Sequence, residues 1–285
     1  MFDSVKVSPY ELTHNQFSIN GYYINFRHDH EEYFSEVCLH PSLDDPSLED
    51  LRSDRKLFYQ HCFEHLTFNF RLIQALFHTS YTRIKKHHLL SFSQYLYSDK
   101  PFVHYKIKGV NKSHQLTEVL KKAQDNHHKI RLDFQNKLSR ESFLQVISDQ
   151  LPSLLRFIDY IEDPYEFDRR LWPQDSKKYN LCFAVDKNKV SHASFLRVYK
   201  PLHHKDEPED GNYILSSLMG GYLSDALTMI FQEIHPSKHL VHGLGYSSNY
   251  KEFINFDGDD AYFIWNKKNK NLLISSLKKR NWNDL

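Results

Sequence analysis

The sequence predicts an α/β fold: a TIM-type barrel of parallel strands, preceded by a separate α+β domain. In the middle of the chain, short β-type runs alternate with amphipathic helix-like segments at about 25 to 30 residues per unit. The first 40 residues alternate apolar and polar side chains as strands do, and residues 48–89 then show helical spacing. We therefore place the α+β domain at 1–90, the barrel at 91–249, and a C-terminal segment at 250–285 that packs back on one of them.

The individual elements follow from local patterns. In the N-terminal domain, Asn20-Gly21 is predicted to form a hairpin turn between two short strands. Shorter spacing between Asp186 and Ser216 predicts that two barrel crossings are trimmed to loops, and a helix is expected from Tyr222 to Ile234. The clearest predicted barrel strands are 92–97, 103–108, 129–134, 157–162, 181–185, 196–199 and 239–245.

Composition limits the possible functions. The chain has 285 residues and a formal net charge of +1, so its charge favours neither a nucleic-acid partner nor a membrane partner. Cys38, Cys62 and Cys182 are well separated in apolar settings, which is typical of reduced thiols. Neither a secretory leader nor a run of transmembrane length is visible. We expect a cytoplasmic protein, monomeric or homo-oligomeric, that acts on a small molecule.

Charged side chains end the predicted strands in a fixed order. These residues are Lys106, Lys108, Asp133, Glu162, Asp186 and Lys200. Because the carboxyl ends of parallel strands meet at one edge of a barrel, we expect the six side chains to lie together. Three carboxylates form an all-oxygen set that suits Mg²⁺. Strand alternation puts the first two lysines on the same side, where like charges lower the pKa of each amine and favour a lysine base.

This ordered set resembles the enolase superfamily and, within it, the o-succinylbenzoate synthases. The family's K-x-K, R-L-D and E-D-P motifs match residues 106–108, 131–133 and 162–164, and its K-P pair matches 200–201. The resemblance covers roughly residues 30 to 250. It implies a (β/α)7β barrel with an N-terminal capping domain, in which 17–26 would supply the lid region.

The resemblance also implies a reaction. It is the Mg²⁺-dependent syn-dehydration of 2-succinyl-6-hydroxy-2,4-cyclohexadiene-1-carboxylate (SHCHC) to o-succinylbenzoate, a step of menaquinone biosynthesis. Asp133, Glu162 and Asp186 would hold Mg²⁺, for which Mn²⁺ can substitute, and the metal would stabilise an enediolate. Lys108 would remove the α-proton and then protonate the leaving hydroxyl from the same face.

The remaining site residues would assist. Lys106 would lie beside the metal, and Lys200 would face the delocalised enolate across the ring. Arg131 would either steady the substrate site by ion pairing or form a structural bridge inside the barrel. The succinyl carboxylate would be bound by hydroxyl and backbone N–H groups of Ser216, Ser217 and Gly221.

Two other functions stay open at this point. An N-acylamino acid racemase or dipeptide epimerase uses the same barrel, and an epimerase carries Asp-x-Asp at its eighth strand. Residues 257–259 have that spelling but lie a dozen residues beyond the predicted strand. A catalytically degenerate binding protein is the other alternative, against which Lys108 and the three carboxylates argue. The adjacent histidine pairs at 87–88, 127–128 and 203–204 are expected at the surface, because neighbouring side chains point apart and make poor shared ligands.

Overall fold

The structure is a computed structural model. It describes residues 2–14, 17–40, 45–99, 103–186, 195–203, 212–217, 220–239, 241–244 and 262–285. No helix in these segments is long and apolar enough to cross a membrane.

The N-terminal domain is an antiparallel sheet covered by a long helix. Its elements are β1 (Ser4–His14), β2 (Phe17–His28), β3 (Glu31–Cys38), α1 (Leu48–Ser53) and α2 (Arg55–His78). The strands pair in the order β1-β2-β3, and α2 buries one side against β3. The Asp54 carboxylate begins α2 by accepting from the N–H groups of Lys56 and Leu57, as an N-cap should.

One prediction for this domain is wrong. β2 runs without a break through Gly21, so Asn20-Gly21 is not a hairpin turn. Residues 17–26 lie within this strand, and their role as a lid stays a prediction. The β2–β3 turn lies at Asp29 and His30, which both have positive φ. Gly21 is needed for a close approach instead, because a Cβ there would lie 2.3 Å from the Val37 carbonyl oxygen.

Parallel strands form the second part of the molecule. They are β4 (Tyr81–Lys86), β5 (His88–Ser91), β6 (His104–Lys108), β7 (Lys129–Asp133), β8 (Ile158–Glu162), β9 (Phe183–Val185), β10 (Leu196–Tyr199), β11 (Tyr213–Leu215) and β12 (Val241–His242). From β5 to β11 they pair in chain order as a curled seven-stranded parallel sheet. The predicted barrel class is confirmed.

Backbone hydrogen bonds join the two edges of this sheet. Gly243 N–H donates to the Leu215 carbonyl at 2.8 Å, which links β12 to β11. β12 also pairs with β4 in parallel, and β4 runs into β5 through His87, whose N–H donates to the His242 carbonyl at 2.9 Å. Counting β4 and β5 as one strand, the described residues form a circle of eight strands.

Helices cover the outside of the barrel. They are α3 (Phe92–Leu96), α4 (Ser113–Asp125), α5 (Arg140–Ser148), α6 (Pro152–Leu155), α7 (Leu171–Tyr179) and α8 (Tyr222–Ile234). The predicted bounds of α8 are confirmed. The strand predicted at 92–97 is wrong, because Ser91 and Gln94 form a capping box that begins α3 there. The first barrel strand therefore lies earlier, and most of the two short crossings (187–194 and 204–211) lies outside the described residues.

The last described segment contacts both parts. It contains β13 (Tyr262–Asn266), α9 (Lys267–Lys278) and β14 (Asn283–Asp284). β13 pairs with β4 of the barrel, and β14 pairs with β1 of the N-terminal domain. One large apolar core joins this segment, α8 and the N-terminal sheet, and a second lies between strands β6–β9 and helices α4, α5 and α7.

Candidate active site

Two carboxylates on neighbouring strands share the ammonium group of one lysine. Lys106 on β6 donates to both carboxylate oxygens of Glu162 on β8, at 2.7 Å and 2.6 Å. Its Nζ also lies 3.2 Å from Oδ2 of Asp133 on β7. The exposed side-chain fractions of Lys106, Asp133 and Glu162 are only 12%, 5% and 1%. Parallel pairing of β6, β7 and β8 thus brings three predicted site residues into direct contact.

The electrostatics of Lys106 differ from the expectation that two neighbouring lysines lower each other's pKa. Burial does act to lower the pKa of Lys106, but the Glu162 and Asp133 carboxylates outweigh it and raise that pKa. The prediction of a depressed pKa is therefore wrong for Lys106. Held as a cation between two carboxylates, this side chain is unsuited to act as a base.

The two carboxylates respond oppositely to this environment. Burial raises the pKa of Glu162 more than the charge of Lys106 lowers it. For Asp133, burial acts in the same upward direction, but Lys106 and Lys108 together outweigh it and lower the pKa. Asp133 is thus the more firmly ionised member of the pair.

Lys108 is the most exposed of the three lysines at the carboxyl ends of the strands. Its Nζ lies 3.4 Å from Oδ2 of Asp133. Its side chain is 34% exposed, against 12% for Lys106 and 7% for Lys200. Gly109 follows directly with φ +84°, a left-handed conformation that glycine adopts without strain, and ends the strand there. Of the three lysines, Lys108 is best placed to reach a ligand.

Asp186 and Lys200 form a second ion pair at the same strand edge. Asp186 directly follows β9 and Lys200 directly follows β10, and these strands are parallel neighbours. Lys200 Nζ contacts Asp186 Oδ1 directly. Burial is the main reason that the pKa of Lys200 falls to about 8, and the Lys106 charge adds to it while Glu162 opposes it. Lys200 therefore lies in the electrostatic field of the first cluster.

Asp163 is a site residue to which the sequence analysis gave no role, although it lies inside the E-D-P motif. Its carbonyl accepts from Asn136 N–H at 2.9 Å, and its Oδ1 accepts from Asp186 N–H at 3.2 Å. It has φ +45°, and Asn136 shares this left-handed region. Burial, followed by the charges of Glu162 and Asp133, raises the pKa of Asp163 to about 7. This residue connects the turns that follow β7, β8 and β9.

The donor set at this edge suits a hard cation. Asp133, Glu162, Asp163 and Asp186 supply carboxylate oxygens, the ligands that Mg²⁺ prefers. As the side chains stand, no three His, Cys, Asp or Glu groups among the described residues are arranged to hold a metal. The Lys106 ammonium instead lies between two of the carboxylates. The residues fit Mg²⁺ by their chemistry.

Arg131 lies one layer deeper, towards the amino ends of the strands. Its Nε donates to Asp159 at 2.8 Å, and its Nη1 donates to the Val241 carbonyl at 3.1 Å. Nη1 also lies 2.9 Å from His87 Nδ1, and the guanidinium stacks over the Tyr160 ring at 5.0 Å. These partners favour the structural bridge over the substrate contact, which stays a prediction.

The expected surface location of the histidine pairs is wrong for two of their members. His87 and His128 are buried, at 8% and 9% exposure. His87 packs inside the barrel against Arg131, and His128 lies 3.0 Å from the Tyr95 hydroxyl. An adjacent pair can place one ring inside because successive residues point to opposite sides. His203 is half-buried beside Asp45, and His204 lies outside the described residues.

Ser216 and Ser217 follow β11 at the same end of the barrel. Ser216 N–H donates to the Tyr199 carbonyl at 2.9 Å, which continues the parallel ladder. Ser217 is 3% exposed, and among the described residues its Oγ has no hydrogen-bond partner. Ser217 therefore lies at the strand end with a buried hydroxyl, and its expected contact with the succinyl carboxylate stays a prediction.

Gly221 is engaged by another part of the protein. Its N–H donates to a carboxylate oxygen of Glu36, on β3 of the N-terminal domain, at 2.5 Å. Glu36 thus occupies a donor that the sequence analysis assigned to the substrate. No local pattern could have identified it, because a buried acid in a β-strand looks like any other residue in the alternation. The Asp-x-Asp spelling at 257–259 lies outside the described residues.

Comparison with known proteins identifies the fold. No protein-family model matches the chain, and no curated protein is detectably similar to it in sequence. Among solved structures, o-succinylbenzoate synthase from Thermosynechococcus elongatus, complexed with Mg in its active site, is 15% identical with a TM-score of 0.65. That alignment covers 96% of this chain and 99% of that one.

Two further structures show the same fold with different names. MenC from Desulfotalea psychrophila is 13% identical with a TM-score of 0.60, over 90% of this chain and 97% of that one. A dipeptide epimerase from Enterococcus faecalis is 11% identical with a TM-score of 0.61, over 90% and 93%. The chain therefore has the fold of enolase-superfamily barrels with a capping domain, a fold shared by synthases and epimerases.

Proposed function

We propose that the protein is an o-succinylbenzoate synthase that dehydrates SHCHC in menaquinone biosynthesis, in the cytoplasm. The observation that supports this best is the contact of Lys106 with Asp133 and Glu162, with Lys108 beside them, at the carboxyl end of parallel strands. Catalytic groups of parallel β/α barrels lie at this end. The structural similarity to two proteins bearing that function's names supports the same choice.

Lys108 carries the proton transfers in this proposal. Its amine takes the proton from the carbon next to the ring carboxylate, and the resulting ammonium donates a proton to the departing hydroxyl on the same face of the ring. One lysine performing both steps gives syn elimination and balances the proton. Its side chain, 3.4 Å from Asp133, is the most exposed of the three lysines.

The other charged groups hold the site in order. Asp133, Glu162 and Asp186 would hold Mg²⁺, which when bound would neutralise negative charge developing on the substrate carboxylate. Lys106 lies between Asp133 and Glu162. Lys200 is oriented by Asp186 and presents a cation to the ring from β10. Arg131 on β7 forms an ion pair with Asp159 on β8, nearer the amino ends of these strands.

The test is direct turnover. Purified protein with Mg²⁺ is expected to remove the absorbance of SHCHC, a metal chelator is expected to stop the reaction, and Lys108→Ala is expected to abolish it. Lys112→Ala, at an exposed lysine next to the same strand end, is the matched control and should remain active. Epimerisation of dipeptides in place of SHCHC loss would replace this proposal with the epimerase. Absence of both activities would leave the degenerate binding protein.

A further inference from the structure

The N-terminus of α8 is filled by a carboxylate of the protein itself. Glu36 accepts hydrogen bonds from the N–H groups of Gly221 at 2.5 Å and Ser224 at 2.9 Å, and from the Tyr10 hydroxyl at 2.8 Å. The glutamate has 0% exposure. First-turn amides have no partner within a helix, and the helix dipole favours negative charge at that end. The side chain therefore fills the donor site at this helix end and is completely enclosed by protein. Burial raises the pKa of Glu36 to about 7, and the hydrogen bonds from Gly221, Tyr10 and Ser224 act against that rise.

Two glycines make this contact possible. A Cβ at Gly221 would lie 2.8 Å from Glu36 Oε1, so a side chain there would push the carboxylate away from the amides. A Cβ at Gly220 would lie 2.7 Å from the Ser224 Cβ. The chain thus keeps this end of α8 free of side chains, and a residue 185 positions earlier in the sequence reaches it.

The same contact reaches the end of β11 through Ser224. While Ser224 N–H donates to Glu36, its Oγ donates to the Ser217 carbonyl at 3.2 Å. Gly220 N–H donates to that carbonyl too, at 3.1 Å. Glu36 therefore holds the turn that places Ser217, whose own hydroxyl is buried without a partner among the described residues.

We propose that Glu36 is a positioning residue. By filling the amide donors of α8 it fixes Ser217 at the strand end, and it leaves the Ser217 hydroxyl, not the Gly221 N–H, to bind the second carboxylate of a dicarboxylate substrate. The identity of that substrate rests on the proposed function. The filled donor site does not depend on it, because it is defined by Glu36, Gly221, Ser224 and Tyr10 alone.

The filled site is tested by chemical rescue. Glu36→Ala should lower the melting temperature, and sodium formate should raise it again in a saturable way, because formate can replace the lost carboxylate. Sodium chloride of equal ionic strength should not. The matched control is Glu32→Ala on the same strand, which loses a half-buried carboxylate that contacts Asn25 and Lys278. Neither this control nor the wild type should respond to formate.

Absence of any formate response in Glu36→Ala, or an equal response in all three proteins, would refute the filled site. If Glu36→Ala is isolated only in unfolded form, formate is added during refolding and native circular dichroism is measured. Restored native signal with formate alone supports the site, and failure to restore it refutes the site.

The positioning role is tested with Glu36→Gln, which keeps the shape but cannot accept from every donor. We expect KM for SHCHC to rise about tenfold, because the Ser217 hydroxyl would lose its charge-assisted hydrogen bond to the second carboxylate. We expect kcat to stay nearly unchanged. An analogue whose succinyl carboxylate is a primary amide should keep its KM. Equal changes with both compounds, or a fall in kcat alone, would refute the role. If the wild type does not turn over SHCHC, the proposed function fails, and formate rescue still decides the filled site.

Discussion

Lys106 and Glu162 lie 56 positions apart in the sequence, and both oxygens of the glutamate accept from the lysine ammonium, at 2.7 Å and 2.6 Å. Glu162 is 1% exposed, so neither oxygen is satisfied by solvent. The same ammonium lies 3.2 Å from Asp133. A protein cation therefore neutralises the two carboxylates that the proposed function gives to Mg²⁺, and under that proposal lysine and metal would compete for them.

This competition predicts that Lys106→Met binds Mg²⁺ more tightly than the wild type. Removing the ammonium leaves Asp133 and Glu162 without their shared partner, and methionine roughly preserves the side-chain volume. We expect the dissociation constant for Mg²⁺ to fall by about tenfold, equivalent to about 1.4 kcal/mol. Melting temperature against Mg²⁺ concentration measures it, because a ligand that binds only the folded state stabilises that state.

Two matched variants make this measurement specific. Glu162→Gln should abolish the response to Mg²⁺. Asp159→Asn should retain it, because Asp159 lies at the other end of the same strand and pairs with Arg131. A Lys106→Met protein that binds Mg²⁺ no better than the wild type would show that the ammonium does not compete with the metal.

Substitution of Lys108 should reduce turnover far more than it reduces the stability of the protein. The Lys108 side chain is one-third exposed and lies 3.4 Å from the Asp133 carboxylate, so Lys108→Ala should change the free energy of unfolding by less than about 1 kcal/mol. General acid–base catalysis contributes about 10²- to 10⁴-fold to a reaction rate. Turnover of SHCHC by Lys108→Ala should therefore decrease by at least about 100-fold. Lys108→Arg should be equally inactive, since guanidinium stays protonated. Activity retained in Lys108→Arg would exclude Lys108 as the base.

The barrel and its charged edge could be predicted because both depend on patterns of apolar and charged residues within short segments of the sequence. Each strand that carries Lys106, Asp133 or Glu162 is a short apolar run that ends in charge, and an amphipathic helix follows the first two of them. Parallel pairing then requires the strand ends to meet. Contacts across the molecule leave no such local signal, which is why Glu36 was missed. The direction of the Lys106 pKa shift depends on distances to carboxylates that spacing alone does not give.

The errors of detail have a common physical origin, which is that packing overrides the local pattern. Asn20-Gly21 is a favourable turn dipeptide, but Gly21 lies within a strand where no larger residue fits beside Val37. Residues 92–97 alternate as a strand would, but the capping box at Ser91 begins a helix. His87 is polar in sequence and buried in the barrel, because Arg131 supplies a donor for its ring nitrogen.

Stability should fall in acid because of buried neutral histidines, of which His242 is the clearest example. Its ring is 0% exposed, and Nδ1 accepts from Leu215 N–H at 3.1 Å. Burial, and after it the charge of Arg131, lowers the pKa of His242 from 6.5 to about 3. As the pH falls below 6.5, the unfolded chain binds a proton that the folded protein does not bind until about pH 3. The stabilisation is therefore complete above pH 6.5 and is lost towards acid.

The expected slope for this residue is about 1.4 kcal/mol of unfolding free energy per pH unit. His242→Asn, whose side-chain oxygen can still accept from Leu215 N–H, should reduce the slope by that amount. Urea unfolding at several pH values between about 7 and 5 measures it. His114→Asn, at an exposed histidine, should leave the slope unchanged. Equal slopes in the wild type and His242→Asn would mean that His242 is not held neutral.

Substitutions at Gly21 and Gly109 should destabilise the protein to different extents, because close packing restricts the first glycine and backbone conformation the second. Gly21→Ala would place a Cβ 2.3 Å from a backbone oxygen of β3, which cannot move without breaking the sheet, and should destabilise by about 3 kcal/mol. Gly109→Ala meets no atom within 4 Å and suffers only from its φ of +84°, a cost of about 1 kcal/mol. Gly109→Asn should cost less than Gly109→Ala, since asparagine tolerates that region. Chemical unfolding of the three variants measures the order, and a larger loss in Gly109→Ala than in Gly21→Ala would contradict the close packing of β2 against β3.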